Sequence, residues 1–580
     1  MPVQGSCYCS NRDKRMARID SRLLFLTTSP RSPEKMWPEI ELLLRHFGGR
    51  PWNAATQRAF MDVLRDEQFF NGRGEKDPAF SARDRINRAP KSLGLVVLTP
   101  DISLTPAGKV LLSSKRKEEA FLRQLLKFQL PSPFHRPTAR AANFCVKPYL
   151  EILRLIRTMG TLKFDELQIF GMQLTDWHLF DSIVRKIEAF RMARTSFYGN
   201  YRRFKHDYLY KELEQVFAGR IAQGQTHTRE SRDTSLDKFL RTQASNMRDY
   251  ADACFRYLRA TGLVNVSHVG KSLSIVPERC EDVDFILRTV DREPCFVDDE
   301  QRYVSYLGDA ALPKLLTDDP GSLIKKLRME FPSAVFDEEM PIDALKDFLA
   351  DLMEKRKVGK LLQEVREIKS YKLYDDIQGT FEQIKRGELY DAPLMLEWNT
   401  WRAMTMLDGG DIKANLKFDD FGTPIAPAQG NRPDILCDYG DFLLSVEVTL
   451  ASGQRQYETE SEPVSRHLGR IKNACGKPCF CLFIAPTIND ACVAHFYALH
   501  QMNISYYGGK SVIVPLPLDV FQAMLEESYK AERKPTPERV RSFLESSEAL
   551  VKESEDERQW YAGIQKLAKE WLSSYNTPRP

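Results

Sequence analysis

A carboxylate inside an apolar strand restricts this chain more than any other feature of its sequence. Glu447 sits in Phe442–Leu450, FLLSVEVTL, a run whose apolar and β-branched residues read as a strand. Strand residues alternate between two faces, so Val446, Val448 and Leu450 point one way while Ser445, Glu447 and Thr449 point the other. A carboxylate so placed is costly to desolvate unless a cation or a donor meets it. A second run, Ile435–Tyr439, precedes the first across Gly440-Asp441, and the two read as antiparallel strands joined by a tight turn. Asp434 opens that run. Two carboxylates on neighbouring strands can converge on one hard divalent ion such as magnesium, which prefers oxygen ligands. An edge strand with a solvated glutamate and a turn aspartate fits the same pattern.

The rest of the chain narrows the context. Its 580 residues allow three or four domains. No run approaches the roughly 18 consecutive apolar residues of a membrane span, and Met1–Ser10 lacks the apolar segment of a secretory signal, so a cytoplasmic location and no membrane partner are expected. The 11 cysteines are scattered without paired C-x-x-C motifs, which argues against a zinc ribbon or a disulfide framework. Cys479 and Cys481 lie in the apolar run Pro478–Ala485 and read as buried strand residues. Net charge is only +4, so any binding of nucleic acid has to come from local patches.

Several such patches are present in the N-terminal half. Residues 11–22 are arginine-rich, and Thr27–Lys35 is a turn-rich loop whose Arg31 and Lys35 can reach phosphates. Ser81–Lys91 reads as a short helix carrying Arg83, Arg85, Arg88 and Lys91, followed by a Leu-Gly-Leu-Val strand start and then VLTPDISLTPAGKVLL. Helix, strand and hairpin in that order make the pattern of a winged helix, in which the basic helix enters the major groove. The order returns at Asn246–Glu278, where a helix leads into Gly262-Leu263-Val264 and a second hairpin. Between the two lies Arg191–Lys211, with six Lys or Arg, six aromatics and one acid; Arg202, Arg203 and Lys205 are its candidates for DNA. This reading divides the chain into recognition subdomains at 1–135 and 136–290, a linker at 291–345 and a catalytic domain at 346–580.

Helical periodicity dominates Ile342–Met406, where Glu397 on a strongly apolar helix is a candidate third carboxylate, with an ion pair to Arg402 as the other reading. After Leu450, acids recur at Glu458, Glu460 and Glu462; Pro463 is then expected to start a helix capped by Ser461 and carrying Arg466, His467 and Arg470. Cys479–Ala485 and Ser511–Leu516 supply two more strands. The order helix, strand, strand, helix, strand is that of an α/β nuclease-type core.

The sequence Arg432-Pro433-Asp434, then Val446-Glu447-Val448-Thr449, then Gln454-Arg455-Gln456-x-Glu458-x-Glu460-x-Glu462-Pro463-Val464-x-Arg466-His467 resembles the AlwI family of type IIS restriction endonucleases and their BstNBI-type nicking relatives. The resemblance implies a multidomain α+β/α protein: winged-helix-like recognition subdomains, a helical linker and a C-terminal PD-(D/E)xK restriction-endonuclease-like α/β core. It further implies magnesium-dependent hydrolysis of double-stranded DNA a short distance outside an asymmetric site. Carried over position by position, Asp434 and Glu447 match the metal-binding pair, and Glu397, Glu460 and His467 the other catalytic positions. On this reading the carbonyl of Val448 completes the metal site, His467 serves as general base, and Arg455 and Gln456 meet the phosphate. One departure from the broad nuclease pattern stands at Thr449, where that pattern has lysine; the family shares it. One centre per chain calls for a transient homodimer, a small second subunit or sequential nicking to break both strands. A DNA-binding transcriptional regulator and a non-sequence-specific or repair nuclease are the alternatives.

Overall fold

The computed structural model describes residues 17–19, 21–67, 77–138, 143–228, 231–407, 410–420, 422–427 and 432–572. Residues 11–16 and 20 of the arginine-rich segment, and Asn431, lie outside them. The chain forms two compact units, one of Met1–Leu64 with Gly74–Ala350 and one of Arg65–Arg73 with Asp351–Pro580. No helix among the described residues is long and apolar enough to cross a membrane.

In the first unit, Asp77 caps helix α1 (Pro78–Ile86) by accepting a 3.0 Å hydrogen bond from the Phe80 N–H. A π-helical turn, Asn87–Lys91, continues it. Strands β1 (Val96–Val97) and β2 (Ser103–Leu104) then pair antiparallel. The segment Pro106-Ala107-Gly108 starts a helix, α2 (Pro106–Ser113), whose N-cap is Thr105, its hydroxyl 2.9 Å from the Gly108 N–H. The second hairpin is larger. Strand β3 (Thr161–Lys163) is followed by helices α3 (Phe180–Thr195), α4 (Tyr201–Val216) and α5 (Leu236–Arg259), then by β4 (Val264–Ser267) and β5 (Ser272–Ile275). These strands form a three-stranded sheet in the order β3-β5-β4, so the hairpin gains a strand from about a hundred residues upstream. What the two hairpins share is a glycine in the left-handed region before the first strand, Gly94 at φ +71° and Gly262 at φ +68°. A side chain at Gly94 would put its Cβ 2.6 Å from that of Leu307.

Residues 291–345, read from sequence as a linker, carry helices at Glu300–Gly308 and Pro320–Glu330 and belong to the same unit. Tyr303, Leu307, Leu323 and Leu327 stand four apart in each helix and are buried. Lys127 and Gln124 hold the first of these helices through the Leu307 carbonyl, each at 2.8 Å.

The second unit is built on a five-stranded sheet, with a separate short strand pair at Lys417–Phe418 and Pro424–Ala426. Helices α6 (Tyr374–Lys385) and α7 (Ala392–Leu407) lead into β6 (Asp411–Ala414), β7 (Ile435–Asp438) and β8 (Leu443–Val448). Then come α8 (Gly453–Ala474), β9 (Cys479–Ala485), α9 (Asp490–Gln501), β10 (Ile513–Pro517), α10 (Leu518–Lys530), α11 (Pro537–Glu553) and α12 (Glu557–Lys569). The five strands run β10-β9-β8-β7-β6: β7 is antiparallel to both neighbours, while β8, β9 and β10 are parallel. β9 is buried at every position, as expected for a strand covered on both faces, and the cysteines Cys479 and Cys481 are part of that core.

Two expectations are corrected here. Strand β6 was not foreseen, because DIKA offers too short an apolar pattern to register. The helix expected to begin at Pro463 instead begins ten residues earlier, with Ser452 at its N-cap and Pro463 inside it. Proline cannot donate to the Thr459 carbonyl, so α8 lacks one hydrogen bond of its ladder at that point. Its N-terminal turn is tied down elsewhere: the buried Gln456 amide donates to the carbonyls of Ala451 and Thr487, both at 2.9 Å, and accepts from the Asn489 N–H at 2.7 Å.

Phe483 in the middle of β9 is fully buried and packs edge-on against Phe496 of α9 at 5.3 Å. Phe483→Ala is expected to cost about 3–5 kcal/mol of stability, measured by urea unfolding of the full chain.

Candidate active site

Asp434 and Glu447 meet because of strand register. The ladder pairs Ile435 with Val446, so the next position outward sets Asp434 opposite Glu447. Side chains directly opposite on adjacent strands lie about 5 Å apart. Each carboxylate also takes a hydrogen bond from the other strand: Asp434 Oδ2 accepts from the Val448 N–H at 2.9 Å, and Glu447 accepts from the Asp434 backbone. Because β8 is the central strand of five, Glu447 is buried, which removes the edge-strand alternative.

Burial drives the pKa of both groups well above the ordinary carboxylate range, and the nearby charges add to it: Glu447 and Glu460 act on Asp434, and Glu460 acts on Glu447. The half-buried Glu460 of α8 is raised by burial and held by two hydroxyls. Thr449 Oγ1 donates to Glu460 Oε1 at 2.9 Å and Thr459 Oγ1 to the same atom at 3.1 Å. Thr449 in turn accepts from the Ala451 N–H at 3.0 Å. The residue standing where the general pattern has lysine therefore positions a carboxylate.

His467, two turns further along α8, places Nδ1 2.8 Å from Glu447 Oε1. Burial, with the charges of Arg466 and Arg470, lowers its pKa to about 4, so the ring is neutral at pH 7. With Glu447 ionised, Nδ1 carries the proton of that bond and Nε2 is the basic atom. Arg466 is buried, pairs with Glu462 at 2.9 Å, and its charge favours ionised Glu447.

Three acids therefore converge on the Glu447 region. The described residues hold no group of three or more His, Cys, Asp or Glu at metal-ligand spacing. The pair Asp434 and Glu447 nevertheless suits a hard divalent cation: its donors are carboxylate oxygens, and burial raises both pKa values, with repulsion from Glu447 added at Asp434 and from Glu460 at both, a penalty that an opposite charge would relieve. Val448 ends β8 half-buried with its N–H committed to Asp434.

Glu397 lies half-buried on α7, the helix that packs against β8. Arg402 on the same helix pairs with Asp376 at 2.6 Å and lies over the Trp398 ring at 4.3 Å. Arg455 is exposed in the first turn of α8, and its charge lowers the Glu460 pKa; Gln456 beside it is wholly buried.

In the first unit the candidate DNA-binding residues divide. Arg85 bonds the buried Glu39, Nε to Oε2 at 3.2 Å; Arg88 pairs with Asp84; Lys91 lies over the Phe134 ring at 4.8 Å; and Lys205 bonds Asp165 at 2.7 Å. Arg83, Arg202 and Arg203 are exposed, Arg203 within 3.9 Å of Asp207.

The sequence contains no signal for the role of Thr449, because a threonine at a strand end is unremarkable until α8 folds back over it. Arg466 carried one: its spacing of four from Glu462 on a helix.

A sequence profile of the AlwI restriction endonuclease family matches residues 91–524. Among solved structures, the crystal structure of the small subunit (R.BspD6I2) of the heterodimeric restriction endonuclease R.BspD6I is 25% identical, covering 35% of this chain and 100% of that one at a TM-score of 0.28. No curated protein matches.

Asparagine at 434 removes a carboxylate whose charge is opposed first by burial and then by Glu447 and Glu460. In chelator at neutral pH, Asp434→Asn is expected to stabilise the protein by up to about 1 kcal/mol, raising the melting temperature by about 2–4 °C; a lower melting temperature would show the pair to be stabilising.

Proposed function

The chain belongs to the AlwI restriction endonuclease family, and from that premise we propose that it hydrolyses DNA a short distance outside an asymmetric recognition site, as a type IIS enzyme, with magnesium. The observation that carries the residue assignment is the facing pair Asp434 and Glu447, with His467 hydrogen-bonded to Glu447. The reading assigns Asp351–Pro580 to the PD-(D/E)xK class, supported by a mixed sheet that sets one acid before a strand and another inside the next. It assigns the two glycine-led hairpins of the first unit to winged-helix-like recognition subdomains.

Asp434 and Glu447 would hold the magnesium ion, which when bound supplies a Lewis acid for the phosphate and acidifies a water. The residues around them set up the rest. His467, oriented by Nδ1 on Glu447 and neutral at pH 7, takes the proton of the attacking water at Nε2. Thr449 fixes Glu460 so that its charge steadies the imidazolium that results. Arg466 contributes, from α8, the positive charge absent at position 449. Arg455, exposed beside Glu460, is placed to meet a phosphate oxygen. The described residues form one such centre, so on this reading cutting both strands requires a second copy, a partner subunit or successive nicks.

Supercoiled plasmid with magnesium is expected to yield discrete bands, and none in EDTA. Asp434→Ala and Glu447→Ala should lose at least about 10³-fold in rate and His467→Ala about 10²–10⁴-fold. Full cleavage by the Asp434 variant would sink the site assignment, and a smear in place of bands would sink the site-specific reading.

A further inference from the structure

The helical hairpin of α3 and α4 ends in a tip whose chemistry the proposed reaction leaves unused. From residue 189 to residue 206 the sequence has five Arg or Lys and no Asp or Glu. Three of the five have an acid alongside: Arg191 bonds Glu166 at 2.8 Å, Lys205 bonds Asp165 at 2.7 Å, and the exposed Arg203 comes within 3.9 Å of Asp207. Arg194, Arg202 and Arg203 point outward around the tip. Amid them Tyr198 is 100% exposed, with Met192 at 73% and Phe197 at 41%.

The tip is built rather than slack. Phe197 packs on Phe204 at 4.9 Å, and Phe204 on Phe190 at 5.3 Å. Arg194 lies over the Tyr201 ring at 4.4 Å, while the Tyr201 hydroxyl donates to Asp165 at 2.7 Å. Asn200 caps α4 by accepting from the Arg202 and Arg203 N–H groups at 2.8 and 3.3 Å. A fixed base thus presents a ring with no packing of its own. Soluble proteins seldom leave a large apolar cluster in water without a use for it.

Resting on the reading of the chain as an enzyme of double-stranded DNA, we propose that this tip is a wedge, with Tyr198 entering the base stack of the duplex while Arg194, Arg202 and Arg203 hold the flanking phosphates. A protein partner of ordinary surface chemistry would face uncompensated positive charge here; a polyphosphate backbone supplies the complement. Aromatic and apolar side chains inserted between base steps unstack and kink the duplex, and the surrounding cations offset the cost of unstacking. Tyr198 is then a positioning residue, since it acts on duplex shape at a distance from the reacting phosphate.

Wild type, Tyr198→Ser, Tyr198→Trp and Arg202→Ala are compared in EDTA, where cutting is not expected, on closed-circular plasmid relaxed by a metal-independent topoisomerase and on a fluorescent mixed-sequence duplex titrated with salt. Wild type and Tyr198→Trp should change the linking number. Tyr198→Ser should abolish that change and weaken duplex binding roughly 5- to 150-fold with the salt slope intact. Arg202→Ala should lower the slope by about 1. Tyr198 is fully exposed, so the serine variant is expected to fold, which circular dichroism checks. Duplex binding and unwinding by Tyr198→Ser equal to wild type would overturn the wedge and leave the nuclease reading standing. Failure of the wild type to bind duplex at all would overturn both.

Discussion

Two acids set opposite each other across β7 and β8 are the constraint on which the second unit depends. Like charges directly opposite on adjacent strands are destabilising, and burial compounds this by raising both pKa values. Such a pair persists only where the surrounding sheet supplies a large surplus of stability. Strand β9, buried along its whole length and paired in parallel with β8 from Leu443 to Val448, is the source of it. The apolar strand and the frustrated pair are therefore parts of one arrangement: the first holds in register what the second would push apart.

Helix α8 completes the site by running from Gly453 straight through Pro463. Had the helix begun at the proline, Glu460 would lie in a loop and its bond to Thr449 would have no fixed geometry. One continuous helix instead carries Glu460, Arg466 and His467 at fixed spacing beside the strand pair. The missing ladder bond at Pro463 is offset by the anchorage of Gln456 to two loops. The same anchorage places Gln456 in the core beside an exposed Arg455, so two adjacent residues with similar prospects in sequence take different parts.

What could be read from sequence follows the range of the interactions. The strands of residues 435–450 and 479–485 were legible because alternation and apolar runs are local properties, and the Asp434–Glu447 pairing followed from a two-residue turn that fixes register. The extent of α8 was not, since a local rule about proline opposed it and only tertiary anchorage decides between them. Strand β6 was missed for a related reason: four residues, of which only Ile412 and Ala414 are apolar, become a strand because β7 has a free edge to pair with. Thr449 was marked as a departure, and its partner Glu460 was marked separately. That the first orients the second depends on a fold of the chain that no spacing encodes.

Charge in the first unit makes the same point about surfaces. Read along the chain, Arg83, Arg85, Arg88, Lys91, Arg202, Arg203 and Lys205 are equivalent cations, but folding sorts them by the acids it brings alongside. Arg85 is spent on Glu39, which is wholly buried and would otherwise be an uncompensated core carboxylate. Arg88 and Lys205 are likewise held by Asp84 and Asp165. The 80 acidic residues that bring the net charge to +4 are thus unevenly distributed in effect. A near-neutral chain can still present a concentrated positive surface, because acids cancel cations only where they touch them: around the tip at 189–206 Glu166, Asp165 and Asp207 reach Arg191, Lys205 and Arg203, while Arg194 and Arg202 stay exposed.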